Sequence, residues 1–129
     1  MTGGRLDNDV RALDPSSLRA LSELLGDDRA VLAELVDAFL DEAPKRLAEL
    51  RLAAGRGDVA LARRAAHTLK SNALTFGAVE LGSLSRRLEI AAATGAEALA
   101  ADRGLIDDLD AEWARVGGEL AALREDGPP

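Results

Sequence analysis

The sequence predicts an all-α fold: an antiparallel up-down four-helix bundle with a short additional N-terminal helix. Three observations point to it. Ala and Leu supply 26 and 23 of the 129 residues, against two Phe, one Trp and no Tyr. Ala, Leu, Arg and Glu are among the best helix formers, whereas strands draw on β-branched and aromatic residues. Four long segments then carry apolar residues at steps of three and four, the signature of an amphipathic helix. Short Gly- and Asp-rich connections separate those segments, which makes neighbouring helices antiparallel. A chain of this length forms one domain and can bury roughly two-thirds of its unfolded surface.

Each element can be justified in order. Residues 1–13 are rich in Gly and charge and are expected to form a flexible arm. Asp14-Pro15-Ser16-Ser17 is a helix start, followed by Leu18, Leu21, Leu24 and Leu25 and a stop near Gly26. Asp27 or Asp28 can cap a second, longer helix with the stripe Leu32, Leu35, Phe39, Ala43, Leu47 and Leu50. Pro44 falls inside that stripe. The stripe continues in phase across it, which predicts one long kinked helix rather than two. Gly55-Arg56-Gly57-Asp58 is a stop followed by a new cap. A third helix should run from about Asp58 to about Leu74, before Gly77 breaks the pattern.

The fourth helix places Leu81, Leu84, Leu88 and Ala91 on one face and ends near Thr94-Gly95. Ala96 to Gly104 is ambiguous, with good helix formers interrupted by Gly104. The last helix carries Ile106, Leu109, Trp113, Val116, Leu120 and Leu123, alternating steps of three and four as in a bundle seam. Gly117-Gly118 should weaken it, at about 1 kcal/mol per glycine relative to Ala. The bundle is thus expected over residues 14–125, with 126–129 a frayed tail.

Composition excludes several function classes. There is no cysteine, so disulfides, thiolate catalysis and Cys-based metal sites are absent. There is one histidine, His67, so no site can use two imidazoles. The net charge of −7 makes the whole chain a poor binder of nucleic acid or membrane surfaces. Its apolar runs are too short to span a bilayer, and the first residues lack a signal-peptide core. A cytoplasmic location is expected. A four-helix bundle can close within one chain, so a monomer is expected too. Met1 and the loose ends favour a free-standing protein.

His67 sits on the polar side of its helix. Ala62, Ala65, Ala66, Leu69, Ala73 and Phe76 form the apolar stripe, and His67 lies about 150° from its centre. Its neighbours one turn away are Arg63, Arg64, Lys70 and Ser71. The charge pattern singles out the same region. Residues 56–90 hold six basic residues (Arg56, Arg63, Arg64, Lys70, Arg86, Arg87) and three acidic ones (Asp58, Glu80, Glu89). The remainder holds ten basic against twenty acidic. The one net-basic stretch of an acidic chain therefore contains its one histidine. A solvated charged face would look similar, but so would a surface that meets anions. An exposed neutral imidazole is a good nucleophile and can carry a phosphoryl group on a ring nitrogen. Lys70, one turn on, is a mobile point charge for phosphoryl oxygens.

The run Ala66-His67-Thr68-Leu69-Lys70-Ser71-Asn72-Ala73-Leu74-Thr75-Phe76-Gly77-Ala78 closely resembles the signature of histidine-containing phosphotransfer domains. Leu81-Gly82-Ser83-Leu84-Ser85-Arg86-Arg87-Leu88-Glu89 is similar to the helix that follows it in that family. The likeness is strong over residues 31–94 and compatible with the rest. It implies a four-helix bundle and a phosphorelay. His67 would take a phosphoryl group from a receiver-domain aspartate or a histidine kinase and pass it to a receiver aspartate. Lys70 matches the family's phosphate-proximal lysine, and Gly77 its late glycine. Ser71 stands where the family commonly has glycine. Its hydroxyl is small and could donate to phosphoryl oxygens or to a receiver loop.

The partners expected are response-regulator receiver domains and a sensor or hybrid histidine kinase. Arg63, Arg64, Ser71, Leu74, Gly77, Arg86 and Arg87 are the candidate docking residues. No cofactor is expected in this chain, because Mg²⁺ would belong to the partner receiver. No nucleotide-binding glycine loop occurs, so the chain would be a carrier dependent on partner active sites rather than an enzyme. A non-catalytic helical adapter that binds or sequesters receivers is the alternative. A bundle metalloenzyme is disfavoured, since no Glu precedes His67 by three residues and the ring faces outward.

Overall fold

The structure, a computed structural model, describes residues 11–129. Among the described residues six helices follow in order: α1 (Pro15–Leu24), α2 (Arg29–Arg56), α3 (Val59–Thr75), α4 (Val79–Thr94), α5 (Ala96–Ala101) and α6 (Leu105–Asp126). The four long ones close a ring, with α2 against α3, α3 against α4, α4 against α6 and α6 against α2. This is the expected all-α bundle. The ambiguous segment after Gly95 forms the short α5, which packs on α4 and α2. No helix among the described residues is long and apolar enough to cross a membrane.

Local chemistry sets the helix starts. The carboxylate of Asp14 accepts from the Ser16 amide, that of Asp28 from Ala30 and Val31, and that of Asp58 from Leu61. Each satisfies donors that have no partner inside the first turn. α2 ends at Gly57, whose φ of 69° closes the helix in a left-handed turn. α2 runs through the exposed Pro44 as a single assigned helix.

Leu, Ile, Val, Ala and Phe side chains from all four long helices meet in one core. One expected member is displaced. Leu35 is 36% exposed, and Val36 is fully buried in its place. On the helical wheel Val36 lies about 25° from the stripe centre and Leu35 about 75°. Trp113 faces the core but reaches its rim, as a ring of that size often does. Its ring centroid is 5.0 Å from that of Phe39, which stacks in turn on Phe76 at 5.2 Å. α6 continues through Gly117-Gly118.

Both ends are tied more firmly than the sequence suggested. Residues 1–10 of the expected arm lie outside the described residues. Ala12 and Leu13 are buried, and their amides donate to the two oxygens of Glu119 on α6, at 2.8 and 3.0 Å. The Asp14 amide donates to the Gly77 carbonyl at 2.9 Å. At the other end α6 extends to Asp126, and Gly127 is buried beneath the Arg29 guanidinium. Arg29 also donates to the Glu125 carbonyl at 2.9 Å. The expected tail at 126–129 is thus held through Gly127.

Candidate functional site

The site lies on the α3–α4 hairpin. The turn between these helices has two bonds that satisfy the last carbonyls of α3. The Ala78 amide donates to Ala73 at 2.8 Å, and the Gly77 amide to Leu74 at 3.3 Å. That pattern needs a left-handed residue at its centre, and Gly77 supplies it with φ 68°. Beyond the turn the helices pack closely because small residues meet. A Cβ added to Gly82 of α4 would lie only 3.5 Å from that of Ala73. Ser85 is buried on the same helix and returns its hydroxyl to the Leu81 carbonyl.

A hairpin folded about Ala78 brings residues equidistant from it face to face. His67 stands eleven positions before and Glu89 eleven after. Nδ1 of His67 lies 2.8 Å from Oε2 of Glu89. Lys70 Nζ lies 2.7 Å from the other oxygen, Oε1. One carboxylate therefore holds both the histidine and the lysine. The His67 side chain is 59% exposed, while those of Lys70 and Glu89 are 25% and 17% exposed. Burial pushes the Glu89 carboxyl up, but hydrogen bonds and charge from Lys70 and His67 outweigh it and hold it below the ordinary carboxylate range. An ionised carboxylate can only accept, so Nδ1 is the nitrogen that carries the proton. In the neutral ring, Nε2 then keeps its lone pair.

Ala60, Arg63, Arg64, His67, Thr68 and Glu89 line an open depression beside the ring. Arg63, Arg64, Arg86 and Arg87 are all exposed. No hydrogen bond or ion pair joins any of these four to another described residue. Several arginines elsewhere are committed: Arg51 to Asp107 and Asp110, Arg124 to Asp37, Arg46 to Glu42 and Glu49. Four unpartnered arginines thus lie on α3, which carries His67, and on α4, which packs against it.

Ser71 is exposed one turn beyond His67, and Leu74, on the same stripe, is 70% exposed. Gly77 departs from the expectation. It is buried, and an added Cβ would lie 2.5 Å from Cβ of Ser17. Its place is to turn the chain and seat α1, away from the exposed face. Glu89 belongs to the site by geometry, whereas in the sequence it stands only as one acid of the basic stretch. Its signal is the 22-residue separation centred on the turn. Among the described residues no group of three or more His, Asp or Glu is placed to hold a metal ion.

Comparison with known proteins defines the class. The Hpt domain family model matches residues 34–125. The chain belongs to the histidine-containing phosphotransfer family, whose members are phosphotransfer carriers that work with histidine kinases and receiver domains in phosphorelays. In three dimensions it is similar to histidine-containing phosphotransfer protein B (HptB) from Pseudomonas aeruginosa PAO1. The TM-score is 0.78 and the identity 30%, over 88% of this chain and 95% of that one. A search of curated proteins finds no match.

Proposed function

We propose that this chain is a phosphorelay carrier in which Nε2 of His67 accepts a phosphoryl group from a receiver aspartate or a histidine kinase and returns it to a receiver aspartate. The observation that carries this is the Glu89–His67 contact. It occupies Nδ1 and leaves Nε2 on an exposed ring within a field of unpartnered cations.

The step balances without an outside base. The lone pair on Nε2 of the neutral ring attacks the phosphorus of an aspartyl phosphate. The N–P bond forms as the P–O bond breaks, and the carboxylate leaves with the electron pair. The ring now carries a proton on Nδ1 and a phosphoryl group on Nε2, and so is positively charged. Glu89 lies against that charge at 2.8 Å. In the reverse step a receiver carboxylate attacks phosphorus and the N–P electrons return to Nε2. Glu89 thus orients the ring and stabilises the phosphorylated form without exchanging a proton. Lys70 fixes Glu89 and adds a positive field one turn from the ring. Mg²⁺ in the receiver supplies the main stabilisation of the transferring group.

Docking would use the exposed face around the ring: Ser71 and Leu74 of α3, with Arg86 and Arg87 of α4. The arginines suit an acidic receiver rim and make association sensitive to salt. The test is transfer of acid-labile phosphate from a phosphorylated receiver. H67Q should accept none, and labelling equal to wild type would overturn the proposal.

A further inference from the structure

We propose that the phosphoryl group, once on His67, is seated by Arg63 and Arg64 in the depression on the N-terminal side of the ring, while Lys70 stays with Glu89. This rests on His67 being the acceptor.

Three observations converge on it. First, the lysine is already committed. Its ammonium is 2.7 Å from Glu89 and its side chain is only 25% exposed. Both Glu89 oxygens are in use, one by His67 and one by Lys70. Moving Lys70 to the phosphoryl group would strip a mostly buried carboxylate of one of its two partners just as the ring gains positive charge.

Second, side chains on a helix lean toward its N-terminus, so each covers the turn before its own Cα. The ring of His67 therefore lies over the turn that carries Arg63 and Arg64, at positions i−4 and i−3. The open depression agrees. It is lined by Ala60, Arg63, Arg64 and Thr68 together with His67 and Glu89, and by neither Lys70 nor Ser71. Ala60 leaves room for the group, and the Thr68 hydroxyl is a further donor at the edge.

Third, the two arginines are free to respond. Both are exposed and neither is paired with a described residue. Guanidinium groups offer planar, often bidentate donation to phosphoryl oxygens, which an ammonium does not. With Nδ1 held by Glu89, Nε2 lies on the far side of the ring from the carboxylate. A phosphoryl group there avoids the one acid of the site.

The proposal separates two roles that one lysine could otherwise fill. Lys70 positions Glu89, and Arg63 and Arg64 bind the transferred group. The test is ³¹P NMR of the full chain phosphorylated with phosphoramidate, read as the pH titration of the phosphohistidine resonance. Cations beside the phosphoryl group favour its dianion. R63A/R64A should therefore raise the titration midpoint by about half a pH unit, after discount for solvent screening. K70A should move it less than R63A/R64A does. The charge-matched control R19A/R103A, remote from the site, should leave it in place. Circular dichroism checks that each variant is folded. A midpoint unchanged in R63A/R64A, or moved more by K70A, overturns the seat while leaving His67 as acceptor. A wild-type chain that gains no phosphohistidine signal, or an H67Q chain that gains the same one, overturns the underlying carrier reading instead.

Discussion

Glu89 accepts from Nδ1 of His67 across the α3–α4 hairpin, at 2.8 Å, and the two residues stand at equal distances from Ala78. That contact selects the tautomer and leaves the lone pair on Nε2, the atom that the proposed transfer uses. It also links the ring to the packing of two helices, α3 and α4, which meet closely at Ala73 and Gly82.

Removing the carboxylate should slow transfer. A hydrogen bond to a charged group contributes about 1.5–3 kcal/mol. Since this contact is partly solvated, the low end applies, and E89A should lose about tenfold in phosphotransfer rate. E89Q keeps an acceptor oxygen and should recover part of the loss. Stopped-flow or quenched transfer from a phosphorylated receiver measures both. An E89A rate equal to wild type would remove Glu89 from the mechanism.

Acid should weaken the same contact. The folded-state pKa of Glu89 is lowered, net of a burial effect that opposes the shift, by Lys70 and His67. A lowered carboxylate contributes stability above its unfolded pKa and loses it as pH falls through the folded one. Wild type should therefore exceed E89Q in stability most clearly at neutral pH, and the gap should narrow below the ordinary glutamate range. Urea melts at several pH values give the comparison. A gap that widens on acidification would contradict the assignment.

Gly77 should not tolerate a side chain. Its φ is 68°, and a Cβ would meet Ser17 at 2.5 Å. G77A should lose about 1–2 kcal/mol, from left-handed strain together with displacement of α1. Thermal unfolding should show a drop of several degrees. An unchanged Tm would mean that the turn and α1 repack freely.

Gly118 should behave in the opposite way. A Cβ there meets nothing within 4 Å, and its φ is not left-handed. G118A should stabilise α6 by up to about 1 kcal/mol through helix propensity alone. A fall in Tm would show that α6 needs the glycine.

Much of this was legible in the sequence because it is local. Asp14, Asp28 and Asp58 announce helix starts by side-chain chemistry that acts within three residues. Gly57 and Gly77 announce the stops. The outward face of His67 follows from its neighbours one turn away. The rest depends on how helices meet. Glu89 belongs to the site only because the α3–α4 turn sets the register of two helices. Leu35 and Val36 differ by one position, and the path of α2 against its neighbours decides which is buried. Ala12 and Leu13 look like part of an arm until Glu119, more than a hundred residues on, takes their amides. Gly77 looks like a docking residue until Ser17 covers it.

The most direct test of the central claim is to find where phosphate attaches. The chain, labelled with ¹⁵N in its one imidazole, is phosphorylated by a phosphorylated receiver and examined by ¹⁵N–³¹P correlation. The account predicts acid-labile phosphate joined to Nε2 of His67, with Nδ1 still protonated, and none on H67Q. Phosphate joined to Nδ1, or equal labelling of H67Q, would contradict it.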